Sequence, residues 1–217
     1  MKNFETPLAI TMGDPSGIGP EIILKSVVET KLNHFVVFGD SLVFDSLIKN
    51  LRLPFTINKI SEISEAVFEE GYINLFETSK LNYLPHYGRI SKECGKVSFD
   101  AIIKSIELAK QGKVSGIVTA PISKKALNLA HINYPGHTEI LAGYSNNKAV
   151  SMMLLNKHIK TVLVTLHCSM KQALDRITIQ NELDAIINAN LGCELFGIEK
   201  PIIAVAALNP HAGEKGL

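Results

Sequence analysis

Seven short runs of β-branched and apolar residues punctuate this chain, and several are apolar throughout rather than alternating. They are Leu8 to Met12, Phe35 to Phe38, Tyr72 to Phe76, Gly116 to Thr119, Ala149 to Leu155, Thr161 to Leu166 and Ile202 to Leu208. A strand that is apolar on both sides is buried on both sides, which is the condition of a parallel sheet covered by helices. Helical periodicity fills several of the gaps. Glu93 to Gln111 places Val97, Ala101, Ile102, Ile106 and Ala109 on one stripe, and Thr178 to Leu195 does the same with Ile179, Leu183, Ile186, Ile187 and Leu191. The expectation is an α/β protein with a mostly parallel sheet and flanking helices. With 217 residues, 46% of them apolar, there is material for one large unit or two lobes. The irregular segment Pro121 to Tyr144 is where two lobes would meet.

Charge and cysteine content narrow the function classes. The 22 Lys and Arg against 21 Asp and Glu give a net charge of +1, with no global pull toward nucleic acid or an anionic membrane. No apolar stretch approaches bilayer length, and the Met1 to Glu5 start lacks a secretory core, so a cytoplasmic protein is expected. Cys94, Cys168 and Cys193 form no C-x-x-C pair and indicate neither a disulfide framework nor a thiolate zinc site. Cys168 adjoins His167, but neighbours on an extended segment point to opposite faces, which argues against a nucleophilic Cys–His pair.

The candidate site residues lie where apolar runs end. In parallel α/β sheets ligands bind in the crevice outside the strand carboxyl ends. His137 stands in Gly136-His-Thr-Glu139, His167 follows Thr161 to Leu166, and His211 follows Ile202 to Leu208. Two imidazoles ending buried strands could meet at one divalent ion, although a catalytic ion ordinarily takes three protein ligands. His34, His86, His131 and His158 have no comparable context. The first strand runs into Met12-Gly-Asp-Pro-Ser-Gly-Ile-Gly-Pro-Glu-Ile22, with Pro20 opening a helix. Its G-x-x-x-G-x-G spacing is neither the dinucleotide fingerprint nor the phosphate loop. Asp14 is a candidate by its position at the strand exit. Lys124, after Val118-Thr-Ala-Pro-Ile-Ser, is either a counter-charge for an anionic substrate or a solvated residue at a helix start.

Taken in order, Thr11-Met-Gly-Asp-Pro-Ser-Gly-Ile-Gly-Pro-Glu-Ile22, Val118-Thr-Ala-Pro-Ile-Ser-Lys124, Gly136-His-Thr-Glu139, Val164-Thr-Leu-His167 and Leu208-Asn-Pro-His-Ala-Gly-Glu214 resemble the 4-hydroxythreonine-4-phosphate dehydrogenase family of pyridoxine biosynthesis. The resemblance runs from residue 8 onward. It implies an isocitrate/isopropylmalate dehydrogenase-like two-lobed α/β fold, a homodimer with interface active sites, a divalent metal (zinc, magnesium or cobalt) and NAD or NADP. It further implies that His137 and Thr138 bind a small phosphorylated hydroxy amino acid, and that His167 and His211 are two of three metal-ligating histidines. The substrate's C3 alcohol would be oxidised and the resulting 2-amino-3-oxo acid phosphate would lose carbon dioxide. The family's third histidine, its further substrate-binding Lys, Asn and Arg and much of its cofactor pocket lie in a segment absent from these 217 residues. A C-terminally incomplete chain, inactive or weak by itself, is therefore expected. Other readings are a paralogue acting on threonate or erythronate 4-phosphate, a phosphate acyltransferase-like protein needing neither metal nor NAD, and a non-catalytic fragment.

Overall fold

The computed structural model describes residues 6–146 and 150–213, and its internal contacts divide the chain into two units, 1–146 and 147–217. The first unit is built on a five-stranded, wholly parallel sheet. Its strands are β1 (Leu8–Thr11), β2 (Phe35–Gly39), β3 (Thr56–Ile60), β4 (Tyr72–Glu77) and β5 (Gly116–Thr119), in the spatial order β3-β4-β2-β1-β5. Four of these were expected from apolar runs. The fifth, β3, has the sequence Thr-Ile-Asn-Lys-Ile, and its edge position leaves it only half buried, so it lacks the continuous apolar signature.

Alternation along the central strands sends side chains to two cores. Ile10, Met12, Phe35, Val37, Ile73 and Leu75 face helices α1 (Gly19–Thr30) and α2 (Ser41–Leu51) through Ile23, Leu24, Val27, Val43, Phe44 and Leu47. On the opposite face Ala9, Val36, Phe38 and Phe76 pack against Ala101 and Leu108 of α3 (Lys92–Lys110). Outside α3, Ile102 and Ile106 meet Leu127 of α4 (Lys124–Leu129) and Ile140 of α5 (His137–Ser145). Asp40 fixes the exit of β2: one carboxylate oxygen caps α2 by accepting from the Leu42 N–H at 3.0 Å, and the other accepts from the Leu81 N–H at 2.7 Å. Both oxygens of this buried acid are thereby used structurally.

This arrangement defines a topological switch point. The connection leaving β1 enters α1 on one face of the sheet, while the connection leaving its neighbour β5 enters α4, which packs on α3 at the other face. The carboxyl ends of β1 and β5 therefore diverge, and that is where a parallel sheet opens toward a ligand.

The second unit differs from the sequence expectation in three ways. First, the apolar runs beginning at Ala149 and Thr161 form only β6 (Met153–Leu155) and β7 (Lys160–Val162), an antiparallel pair rather than buried parallel strands; Ala149 itself is outside the described residues. Leu154 and Leu155 are exposed. Second, Ile202 to Leu208 carries no strand, and Ile202 is 99% exposed. A strand exists only through its ladder, and among the described residues no neighbour pairs with this segment, so its apolar composition alone cannot hold it in a sheet. Third, the helix expected at Thr178 to Leu195 is present as α7 (Ile179–Leu195), following the short α6 (Met170–Arg176), but its apolar stripe is not buried. Ile179, Leu183, Ile186, Ile187 and Leu191 are all exposed, because a two-stranded pair offers too little surface to cover five residues of one face. The helix touches that pair where Met153 lies against Gly192 and where the Asn188 amide donates to the Ser151 hydroxyl at 2.9 Å.

Candidate functional site

The glycines of the first turn serve the chain's own packing. Gly13 lies at φ +73°, and a β-carbon there would stand 2.4 Å from the Pro121 carbonyl oxygen; one on Gly19 would stand 2.4 Å from the Met12 carbonyl oxygen. The exits of β1 and β5 are in fact hydrogen-bonded to each other, with the Asp14 N–H donating to the Pro121 carbonyl at 2.9 Å and the Ala120 N–H to that of Thr11 at 3.2 Å. Asp14 is buried, and one of its carboxylate oxygens accepts from both the N–H and the hydroxyl of Ser16 at 2.9 and 2.8 Å. The exits of the two strands are thus joined by backbone, and the next polar side chains along the chain are Ser123 and Lys124 at α4 and those at the start of α5. Nothing in this turn forms a nicotinamide-dinucleotide cradle. Beside it, Cys94 is buried; burial, reinforced by the negative charge of Asp14, pushes its thiol above the ordinary range and makes it a poor nucleophile.

Five polar side chains stand at the starts of α4 and α5: Ser123, Lys124, His137, Thr138 and Glu139. Ser123 caps α4 by accepting from the Ala126 N–H at 3.3 Å, which sets Lys124 at the first helical position. His137, Thr138 and Glu139 occupy the first turn of α5; His137 is therefore a helix-start residue rather than a strand-exit one. Gly136, which precedes it, is extended and supplies no side-chain cap. A β-carbon on Gly136 would lie 3.9 Å from the Lys124 Cε and 3.5 Å from the Glu139 Oε2, so these two side chains flank the same point. Sequence reasoning did not single out Glu139. The signal was in the Gly136 to Glu139 motif itself, as an acid in the first turn of a helix.

His137 carries the clearest local evidence for a role. Its Nε2 is buried with no hydrogen-bond partner among the described residues, and burial lowers its pKa below the ordinary 6.5. An unpaired buried ring nitrogen costs on the order of 1–3 kcal/mol, which a ligand offering a partner would recover. The pH dependence follows from the direction of the shift. Above the unfolded value of 6.5 both states are neutral and the histidine imposes no proton-linked penalty; as pH falls through that value the unfolded chain protonates first and the fold loses stability. Thermal unfolding between about pH 7.5 and 5.5 should show this loss, reduced in His137→Asn, whereas an identical profile in the variant would remove the assignment.

His167 and His211 are in the second unit, both exposed, and both in left-handed backbone conformation, with φ of 44° and 57°. Of the other non-glycine residues with positive φ, Lys31, Arg52 and Asn146 terminate helices and His131 follows the end of α4, where this conformation is ordinary, while Ala212 shares the turn of His211. His167 and His211 terminate none. Left-handed backbone at a side chain other than Gly or Asn stores on the order of 1 kcal/mol or more and concentrates at functional positions. As donors, two neutral imidazoles suit zinc, cobalt or a similar divalent ion. A catalytic site takes about three protein ligands, however, and among the described residues no group of three or more His, Cys, Asp or Glu side chains could hold an ion. Among the described residues, His167 and His211 therefore belong to no such group.

The first unit is thus a doubly wound, parallel-sheet α/β structure, a class whose ligands bind in the crevice outside the strand carboxyl ends. The family model for pyridoxal phosphate biosynthetic protein PdxA matches residues 31–217, and the chain belongs to that family. It is 48% identical over its whole length to a 4-hydroxythreonine-4-phosphate dehydrogenase of Beijerinckia indica and 38% identical over 99% of its length to a protein of Fusobacterium nucleatum provisionally named D-threonate 4-phosphate dehydrogenase. In each case it spans 65% of the relative's own length. Among solved structures, 4-hydroxythreonine-4-phosphate dehydrogenase of Klebsiella pneumoniae superposes with a TM-score of 0.88 at 35% identity, covering 98% of this chain and 66% of that one. The mostly parallel sheet with flanking helices is that of the family's known structures. Among the described residues no helix is long and apolar enough to cross a membrane.

Proposed function

We propose that the protein is a metal-dependent, NAD(P)-linked dehydrogenase that oxidises 4-phosphooxy-L-threonine to a 2-amino-3-oxo acid phosphate, which then loses carbon dioxide. The observation that carries this reading is His137, whose buried Nε2 has no partner among the described residues and whose pKa is held down by burial, beside Thr138 at the start of α5. It is supported by family membership and by the 48% identical relative of that name. His137 and Thr138 would hold and orient the substrate, the imidazole accepting from or donating to a substrate oxygen and the hydroxyl doing the same. His167 and His211 would hold two positions of a divalent ion. A bound ion of that kind contributes Lewis acidity toward a hydroxyl, and a nicotinamide accepts hydride. Homodimerisation and a cytoplasmic setting belong to the same reading.

A second reading has its own support, since the 38% identical relative is named for D-threonate 4-phosphate. The two substrates differ at carbon 2, as an ammonium or a hydroxyl. Parallel assays of NAD(P) reduction with each, on the protein expressed from its own gene, separate them. We expect a higher kcat/KM with 4-phosphooxy-L-threonine; a preference for the threonate ester would replace the first reading with the second. A polypeptide of these 217 residues by itself should turn over little or nothing, because the described residues bring no third ligand to His167 and His211.

A further inference from the structure

We infer that Lys124 is a substrate-binding residue, the cation that receives an anionic oxygen group of the substrate beside His137. The inference rests on the reading above for the identity of the substrate, though not for the presence of an anion site.

Three observations place the ammonium there. Lys124 opens α4 just beyond the end of β5, on one side of the switch point between β1 and β5 and past the backbone hydrogen bonds that join the two strand exits. Although the residue is exposed, its stem runs alongside Gly136: Cε lies 3.9 Å from the point a Gly136 β-carbon would occupy, at the start of the helix that carries His137 and Thr138. No carboxylate among the described residues lies within 4.0 Å of its ammonium, even though Glu139 reaches within 3.5 Å of the same Gly136 point.

Lys124 is the first residue of α4, and a cation at a helix start gains no stabilisation from the helix itself. Glu139 is the protein's own negative charge nearby, but it is not in ion-pair contact. Gly136 leaves the gap between the two open, and its missing side chain is not required by the backbone, which is extended and accepts any residue. A β-carbon at Gly136 would make only ordinary contacts, so its absence keeps space rather than relieving a clash. An oxyanion in that gap would meet the ammonium at the start of the helix that carries His137 and Thr138.

The test uses inorganic phosphate and acetate as separate probes, titrated against the protein while thermal unfolding is followed, together with steady-state kinetics on 4-phosphooxy-L-threonine. Lys124→Gln should weaken phosphate or acetate binding and raise KM by about 10- to 100-fold, the range of a lost charge-assisted contact, with kcat changed by no more than about threefold. Lys124→Arg should recover most of the loss. Glu139→Gln should tighten binding of the same probe, since it removes the opposing charge from the gap. A phosphate response identifies the ester as the group held, and an acetate response the carboxylate; either supports the inference. Binding and KM within twofold of wild type in Lys124→Gln would overturn it, as would a change in unfolding temperature without a change in probe binding, the mark of a merely structural Lys124–Glu139 pair. Failure of the wild-type protein to oxidise the ester would overturn the dehydrogenase reading, while phosphate binding that depends on Lys124 would still stand.

Discussion

Replacing His167 or His211 by glycine is expected to abolish metal-dependent turnover while leaving the fold intact or slightly more stable. Loss of an outer-shell partner typically lowers metal affinity about 10- to 100-fold, so loss of a direct imidazole ligand should cost at least about 100-fold. Stability should move the other way. Both residues hold left-handed backbone, at φ of 44° and 57°, which glycine adopts without steric cost. Relief of that strain offsets the greater flexibility of glycine in the unfolded chain, giving a net change between about 0 and +1 kcal/mol. Metal content by mass spectrometry and unfolding by denaturant read the two effects separately. If both variants retained metal and lost stability instead, the histidines would be structural residues of their turns.

Gly95→Ala is expected to cost about 3 kcal/mol or more. Gly95 is buried in α3, and a β-carbon there would stand 2.1 Å from the Ala126 carbonyl oxygen and 2.3 Å from its carbon. Both are backbone atoms of α4 and cannot rotate aside. The only accommodation is displacement of α4, and α4 begins with Lys124, so the damage should also reach substrate KM in whatever fraction remains folded. Urea denaturation measures the first effect; a loss below about 1 kcal/mol would show that the two helices are not packed backbone to backbone.

The first unit was legible in the sequence because its central strands are enclosed. β1, β2 and β4 are recognisable as apolar or β-branched runs, as is β5 although it lies at an edge, and α3 by a stripe that does become buried through Val97, Ala101, Ile102 and Ile106. Edge strand β3 escaped notice because it carries Thr56, Asn58 and Lys59 in place of a continuous apolar run. The second unit shows the opposite error. Ile202 to Leu208 and the α7 stripe are as apolar as core segments, yet composition states only what a segment can bury, not what is present to bury it. The site shows the same division. The position of Lys124 at a helix start and the motif around His137 could be read locally. That Lys124 and Glu139 flank Gly136, and that the first-turn glycines are taken up by Pro121 and Met12, depend on where β5 lies beside β1, which no spacing reveals.

The most direct examination of the account is anomalous diffraction from crystals of the protein grown with a divalent transition ion. One peak should lie about 2.0–2.2 Å from a ring nitrogen of His167 and equally close to one of His211, as first-row ions require of imidazole ligands. Two imidazoles bound to no common ion, with turnover unaffected by chelation, would contradict it.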